Sequence, residues 1–179
     1  MAQALEERVI LVSPDDAELG SIEKLEAHRR GVLHRAFSIF LMNGAGEMLL
    51  QRRADVKYHS GGLWSNACCG HPRPGETTRA AAERRLEEEL GLRCVLTPLL
   101  SFTYSADLGG GLSEHELDHV FIGRTDLDPV PDPDEVGDWR WIGVEEIRVW
   151  LARDPATFTA WFRPAFERLL AATPDIVGR

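Results

Sequence analysis

Apolar residues along the chain fall into short blocks separated by Gly, Pro, Asn and Asp, and the blocks change period from two to about four. "RVILV" (8–12) predicts a strand that ends at the turn "SPDDAELG". "SIEKLEAHRR" (21–30) carries too many charges for a core strand. Residues 35–42 read as a strand, "NGAG" (43–46) as a hairpin turn, and "EMLLQRR" (47–53) as the return strand. "GETTRAAAERRLEEELG" (75–91) is the clearest helix: Thr77 suits the N-cap, Ala82, Leu86 and Leu90 form a stripe at i, i+4, i+8, and Gly91 suits the end. "CVLTPLLSFTYS" (94–105) reads as a strand broken by an edge or bulge at Pro98. A glycine-rich loop, "DLGGGLSEHE", precedes a strand over 117–125. A last strand (136–143) and two closing helices, "VEEIRVWLAR" and "TFTAWFRPAFERLLAA", complete the pattern. Strands mixed with helices, and at least one hairpin, predict an α/β (α+β) fold with a mixed sheet packed between helices. The 179 residues suit one domain spanning 1–179.

Composition narrows the function classes. A net charge of −9 argues against nonspecific nucleic-acid binding and against an anionic membrane surface. A small anionic ligand stays open, because it needs only a local basic cluster or a metal ion. No apolar run approaches the ~20 residues of a membrane span, and the N-terminus does not resemble a signal peptide. Three cysteines, two of them adjacent, make no disulfide framework, so the expected compartment is a reducing cytoplasm.

"WSNACCGHP" (64–72) raises the first chemical question, because its Cys-Cys pair next to a histidine suits a zinc half-site, a redox pair or a catalytic thiol. Structural zinc sites favour cysteines two to four apart; here Cys68 and Cys69 are adjacent and Cys94 is distant. His28, His34 and His71 are three of the six histidines, and "SEHELDH" adds Glu114 and Glu116. Residues i and i+2 of a strand share a face. Two such carboxylates with three imidazoles suit a divalent ion such as Mg²⁺, Mn²⁺ or Zn²⁺. His115 between them then points away, and no role is expected for His59 or His119.

From Gly70 the pattern runs Gly, five residues, Glu76, seven residues, Arg84, then Arg85-Leu86-x-Glu88-Glu89-x-Gly91-Leu92. This resembles the Nudix box, G-x5-E-x7-R-E-U-x-E-E-x-G-U, with Arg85 in place of a Glu. The box places carboxylates that hold divalent cations against a diphosphate. "EKLEAH", "LHRAFS", "LWSNACCGHPRPGE", "RRLEEELG" and "SEHELDHVF" follow in the order found in type 1 isopentenyl-diphosphate Δ-isomerases, which are Nudix-fold enzymes. The likeness runs from about residue 8 to 165 and includes the Arg in the box.

That resemblance implies a residue-by-residue site. Cys69 matches the catalytic cysteine and Cys68 a variable packing position. His28, His34, His71, Glu114 and Glu116 match ligands of one divalent ion, and Glu89 the ligand of a Mg²⁺ that arrives with the diphosphate. Lys24, Arg53, Lys57 and Arg85 match the cations around the diphosphate; Tyr104 and Trp161 match aromatics near the reacting carbons. The implied reaction moves a double bond between isopentenyl and dimethylallyl diphosphate, with Glu116, aided by Tyr104, delivering a proton and the Cys69 thiolate taking one. The expected partner is this small substrate alone, bound by a monomer or homodimer. The rival expectations are a Nudix hydrolase of a nucleoside diphosphate derivative and a non-enzymatic metal-binding module. Arg85 and the cysteine argue against the first, and the donor types against the second.

Overall fold

A computed structural model describes residues 7–174. Strand β1 (Arg8–Val12) is followed by β2 (Glu18–Glu23), helix α1 (Lys24–Arg30), β3 (His34–Met42) and β4 (Glu47–Arg53). Two three-residue strands, β5 (Trp64–Asn66) and β6 (Cys68–Gly70), precede helix α2 (Thr78–Leu90). Then come β7 (Thr97–Gly109), β8 (Leu112–Arg124), β9 (Val136–Gly143), α3 (Val144–Arg153) and α4 (Phe162–Ala172).

β3 organises the molecule. It pairs in parallel with β8 along its whole length, from His34↔Glu116 to Met42↔Arg124. It also pairs antiparallel with β6, and with β1 through Leu11↔His34. A strand in such a central place is buried on both faces, which explains its near-continuous apolar run. Phe37, Ile39 and Leu41 pack with Ala82, Leu86 and Leu90 of α2. Phe40 and Met42 pack on the opposite side with Ile147 of α3 and with Phe162, Phe166 and Leu169 of α4. Each such side chain contributes about 1.5–3 kcal/mol by leaving water. The sheet therefore lies between helices, as the alternation of elements predicts.

Several elements differ from the sequence pattern for identifiable reasons. The charged stretch around residue 20 is an edge strand: β2 pairs with β1 from Arg8↔Glu23 to Val12↔Glu18, where charged side chains face solvent. α1 begins because the Glu23 carboxylate caps the amides of Leu25 and Glu26, and it ends at Gly31 with φ 59°. The expected β3–β4 hairpin closes at Met42↔Met48 and then splays. Beyond that pair β4 bonds to β9 and to β5. The glycine-rich loop is narrower than expected. Gly109–Gly111, all at positive φ, form the tight turn of a long hairpin, which puts Glu114 and Glu116 on β8. α2 starts and stops at Thr77 and Gly91, as their types predict. α4 starts at Phe162, because a 3-10 turn (Pro155–Thr157) and an irregular passage occupy the residues before it.

Candidate active site

β8 alternation aims Glu114, Glu116 and Asp118 at one face. The parallel register sets His34 beside Glu116, and the antiparallel register sets Tyr104 opposite it. α1 supplies His28, and the segment after β6 supplies His71. One ligand atom from each of His28, His34, His71, Glu114 and Glu116 falls within 4.8 Å of all the others. His71 Nε2 lies 2.7 Å from Glu116 Oε1, and His28 Nε2 lies 3.2 Å from Glu114 Oε2. The Nε2 atoms of His28 and His34 and Oε2 of Glu114 are buried without a hydrogen-bond partner. Buried polar atoms are rarely left so. Three imidazoles and two carboxylates converging here, three of their inward atoms without a hydrogen-bond partner, fit a divalent cation.

The outer partners of the imidazoles support that fit. The Val32 backbone carbonyl accepts from His34 Nδ1 at 2.9 Å, and the Tyr58 hydroxyl lies 2.9 Å from His28 Nδ1. A proton held on Nδ1 turns the Nε2 lone pair inward. The Tyr104 hydroxyl donates to Glu116 Oε2 at 2.5 Å. Burial would raise the Glu116 carboxyl, but hydrogen bonds from His34 and His71 outweigh it and hold it well below the usual range. Burial and the Glu116 charge raise Glu114. Burial lowers His71 to about 4, although Glu116 opposes it.

A cavity opens beside this cluster, lined by Cys69, Tyr104, Trp161 and the four cations Lys24, Arg53, Lys57 and Arg85. Successive residues of an extended strand face opposite ways, and β6 separates its two cysteines accordingly. Cys68 is fully buried in the α2 core, whereas Cys69 lines the cavity. Burial pushes the Cys69 thiol up to about 12; Arg53 works against the shift, and Glu89, Glu116 and Asp118 add to it. Three of the four cations have carboxylate partners: Lys24 with Glu7 (2.9 Å), Lys57 with Glu135, and Arg85 with Glu89 (2.5 Å), Glu88 (3.0 Å) and Glu135 (3.2 Å). The Arg53 guanidinium instead stacks 5.3 Å from the centre of the Trp161 ring.

Glu89 stands outside the five-donor group. It is buried, bonded to Arg85 and approached by Gln51 Nε2 at 3.4 Å. Glu76 and Arg84 of the box pair with each other in a two-pronged contact at 2.8 and 2.9 Å. His115 turns away to the Gly31 carbonyl, and His119 to Asp16, as expected. His59 does not stand apart: its Nε2 lies 3.9 Å from Glu114, and its ring meets those of His28 and Trp161 edge-on. Burial lowers it to about 3. Sequence reasoning missed His59, Tyr58 and Glu135, which sit in loops with no periodicity. The one available signal was that Tyr58 and His59 directly follow Lys57.

The fold, the broken box and the donor cluster define a NUDIX domain, and the model of that domain matches residues 32–162. The protein DR0079 of Deinococcus radiodurans superposes with a TM-score of 0.71 at 26% identity, over 90% of this chain and 98% of that one. An isopentenyl-diphosphate Delta-isomerase of Burkholderia multivorans is 52% identical over 164 residues, 92% of this chain and 93% of that protein. One of Pectobacterium atrosepticum is 51% identical over 161 residues, 90% of each chain. The chain belongs to the isopentenyl-diphosphate Delta-isomerase family, which is built on the NUDIX domain.

Proposed function

We infer that the protein interconverts isopentenyl and dimethylallyl diphosphate by adding a proton to the terminal alkene carbon and removing one from the allylic carbon on the far side of the branched carbon. The observation that carries this is the pairing of Cys69 with the Tyr104–Glu116 dyad across one cavity, next to a ring of cations. An unactivated alkene needs an acid and a base at opposite ends of the reacting carbons. Cys69 and Glu116 supply both, and the reverse reaction exchanges their roles. Trp161 presents its ring to the developing cation, a contact of about 2 kcal/mol when desolvated.

His28, His34, His71, Glu114 and Glu116 would hold one divalent ion, Mn²⁺, Mg²⁺ or Zn²⁺. The bound ion would withdraw charge from the Glu116 carboxylate and so tune its basicity. Lys24, Arg53, Lys57 and Arg85 receive the diphosphate, and Glu89 its Mg²⁺. Lys24, Lys57 and Arg85 must exchange their carboxylate partners for phosphate oxygens. Arg85 also weighs against the hydrolase reading: it puts a guanidinium where a hydrolytic box carries a carboxylate for a cation. The free thiols fit a reducing cytoplasm and the acidic charge a small-molecule substrate, with a monomer or homodimer as the proposed working unit. Among the described residues no helix is long and apolar enough to cross a membrane.

Incubation with isopentenyl diphosphate and Mg²⁺ in D₂O, followed by NMR, tests the reading. Deuterium should enter the new methyl group of dimethylallyl diphosphate, with no phosphate released. Phosphate without isomer would overturn it. Cys69→Ala should abolish turnover, whereas Cys68→Ala should cost stability and leave turnover measurable.

A further inference from the structure

The segment that carries Cys69 crosses from one half of the sheet to the other. β5 bonds to β4, Ala67 makes the crossing, and β6 bonds to β3. Two polar side chains are fully buried at this crossing, Ser65 and Asn66. The proton chemistry described above uses neither.

Their hydrogen bonds are saturated, and the donor directions are forced. An indole N–H can only donate. Trp161 Nε1 therefore donates to Ser65 Oγ, at 2.9 Å. Ser65 Oγ donates in turn to Asn66 Oδ1 at 2.9 Å, and its remaining lone pair faces Thr159 Oγ1 at 3.0 Å. The Asn66 amide spends its two hydrogens on the carbonyls of Ile39 (3.1 Å) and Cys68 (2.7 Å). Thr159 is itself held by its backbone N–H on the Trp64 carbonyl, at 2.9 Å. Trp161, Thr159, Ser65 and Asn66 are each at most 4% exposed. An unbroken chain of hydrogen bonds thus runs from the indole in the cavity to the peptide just before Cys69.

We propose that Ser65 and Asn66 are positioning residues that hold the Trp161 ring at a fixed distance and angle from the Cys69 thiol. This rests on the functional reading above, in which Trp161 faces the developing cation and Cys69 exchanges the proton. Trp161 lies at the N-terminal edge of α4, with no side-chain cap to fix it. Arg53 and His59 pack against the ring, and the N–H contact adds the one directional bond that fixes the orientation of its edge. Ser65 acts through the ring and touches no substrate. A misplaced ring lowers the rate of bond migration and leaves most of the diphosphate's hold intact, because of the four cations Arg53 stacks on the ring while Lys24, Lys57 and Arg85 pair elsewhere.

A double-mutant cycle with Ser65→Ala and Trp161→Phe tests this. With Trp161 in place, Ser65→Ala should lower kcat about tenfold, with KM for isopentenyl diphosphate within about twofold. In the Trp161→Phe background, where no indole N–H exists, Ser65→Ala should change kcat by less than about twofold. Thr159→Val, which removes the hydroxyl bonded to Ser65 Oγ and keeps the indole's acceptor, should show a weaker coupling of the same sign and serves if Ser65→Ala fails to fold. An equal fall in both backgrounds, an effect carried by KM, or no effect overturns the inference. If the unaltered protein makes no dimethylallyl diphosphate, the functional reading itself falls. If it does and the cycle is additive, only the positioning role falls.

Discussion

Tyr58 touches the donor cluster from outside and shows how a loop residue can control a buried ligand. Its hydroxyl lies on His28 Nδ1, and the Lys24 ammonium sits 5.9 Å above its ring. Outer partners of metal-bound imidazoles typically contribute a factor of about 10–100 in metal affinity. Tyr58→Phe should therefore weaken Mn²⁺ binding by about tenfold in a calorimetric titration. Saturating metal should restore turnover close to the unaltered rate. Unchanged affinity would mean that packing alone holds His28. His59 carried little signal in the sequence for a physical reason: the cluster members it meets, His28, Glu114 and Trp161, are all distant along the chain. That Glu114 and Glu116 share a face was legible because alternate residues of a strand point the same way, whereas the roles expected of Cys69 and His71 rested on the family resemblance.

At the scale of elements, α2 and the loop before it are braced by the box itself. Arg84 grips Glu76 with two nitrogens, and Glu76 Oε2 also accepts from the Arg73 amide at 3.0 Å. Glu88 bonds to both Arg84 and Arg85. The hydrogen bond from Arg84 holds the Glu76 carboxyl below its usual 4.5. A lowered carboxyl stabilises the fold above its unfolded value, and that stability is lost as pH falls through the folded value. Glu76→Gln should thus cost about 1 kcal/mol at neutral pH, the pair being partly exposed to water. The difference in melting temperature from the unaltered protein should close below pH 4.5. A constant difference down to about pH 3 would show that the amide fails for another reason. The helix, its cap and its Gly91 stop could be read from local chemistry. β2 and the splayed β3–β4 pair could not, because edge placement and long-range pairing depend on which strand arrives alongside.

For the whole molecule, the consequential feature is a pair of carboxylates gathered in the interior. Glu114 and Glu116 are both more than nine-tenths buried, next to three imidazoles of which His71 is held neutral. Buried like charges oppose folding unless paired, and a divalent ion bound only to the native state stabilises it by mass action. Chelation should lower the melting temperature by several degrees, with activity lost alongside, and a stoichiometric divalent ion should restore both. A melting temperature indifferent to chelator, measured by scanning calorimetry, would show that the imidazoles alone balance the carboxylates.

The parting of β3 from β4 has a consequence for how the pocket gets its size. The two strands are pinned at Met42↔Met48, and the polar ends bearing His34 and Arg53 lie at the far, open end. With about 3.3 Å per residue, the pin lies roughly 26 Å along β3 from His34. The strands work like the arms of a pair of callipers, with the gauge set at the joint. Substitutions inside the cavity can change what the walls offer a ligand. Its width follows from how far β3 and β4 part beyond this joint and from the β5–β6 crossing that spans the gap.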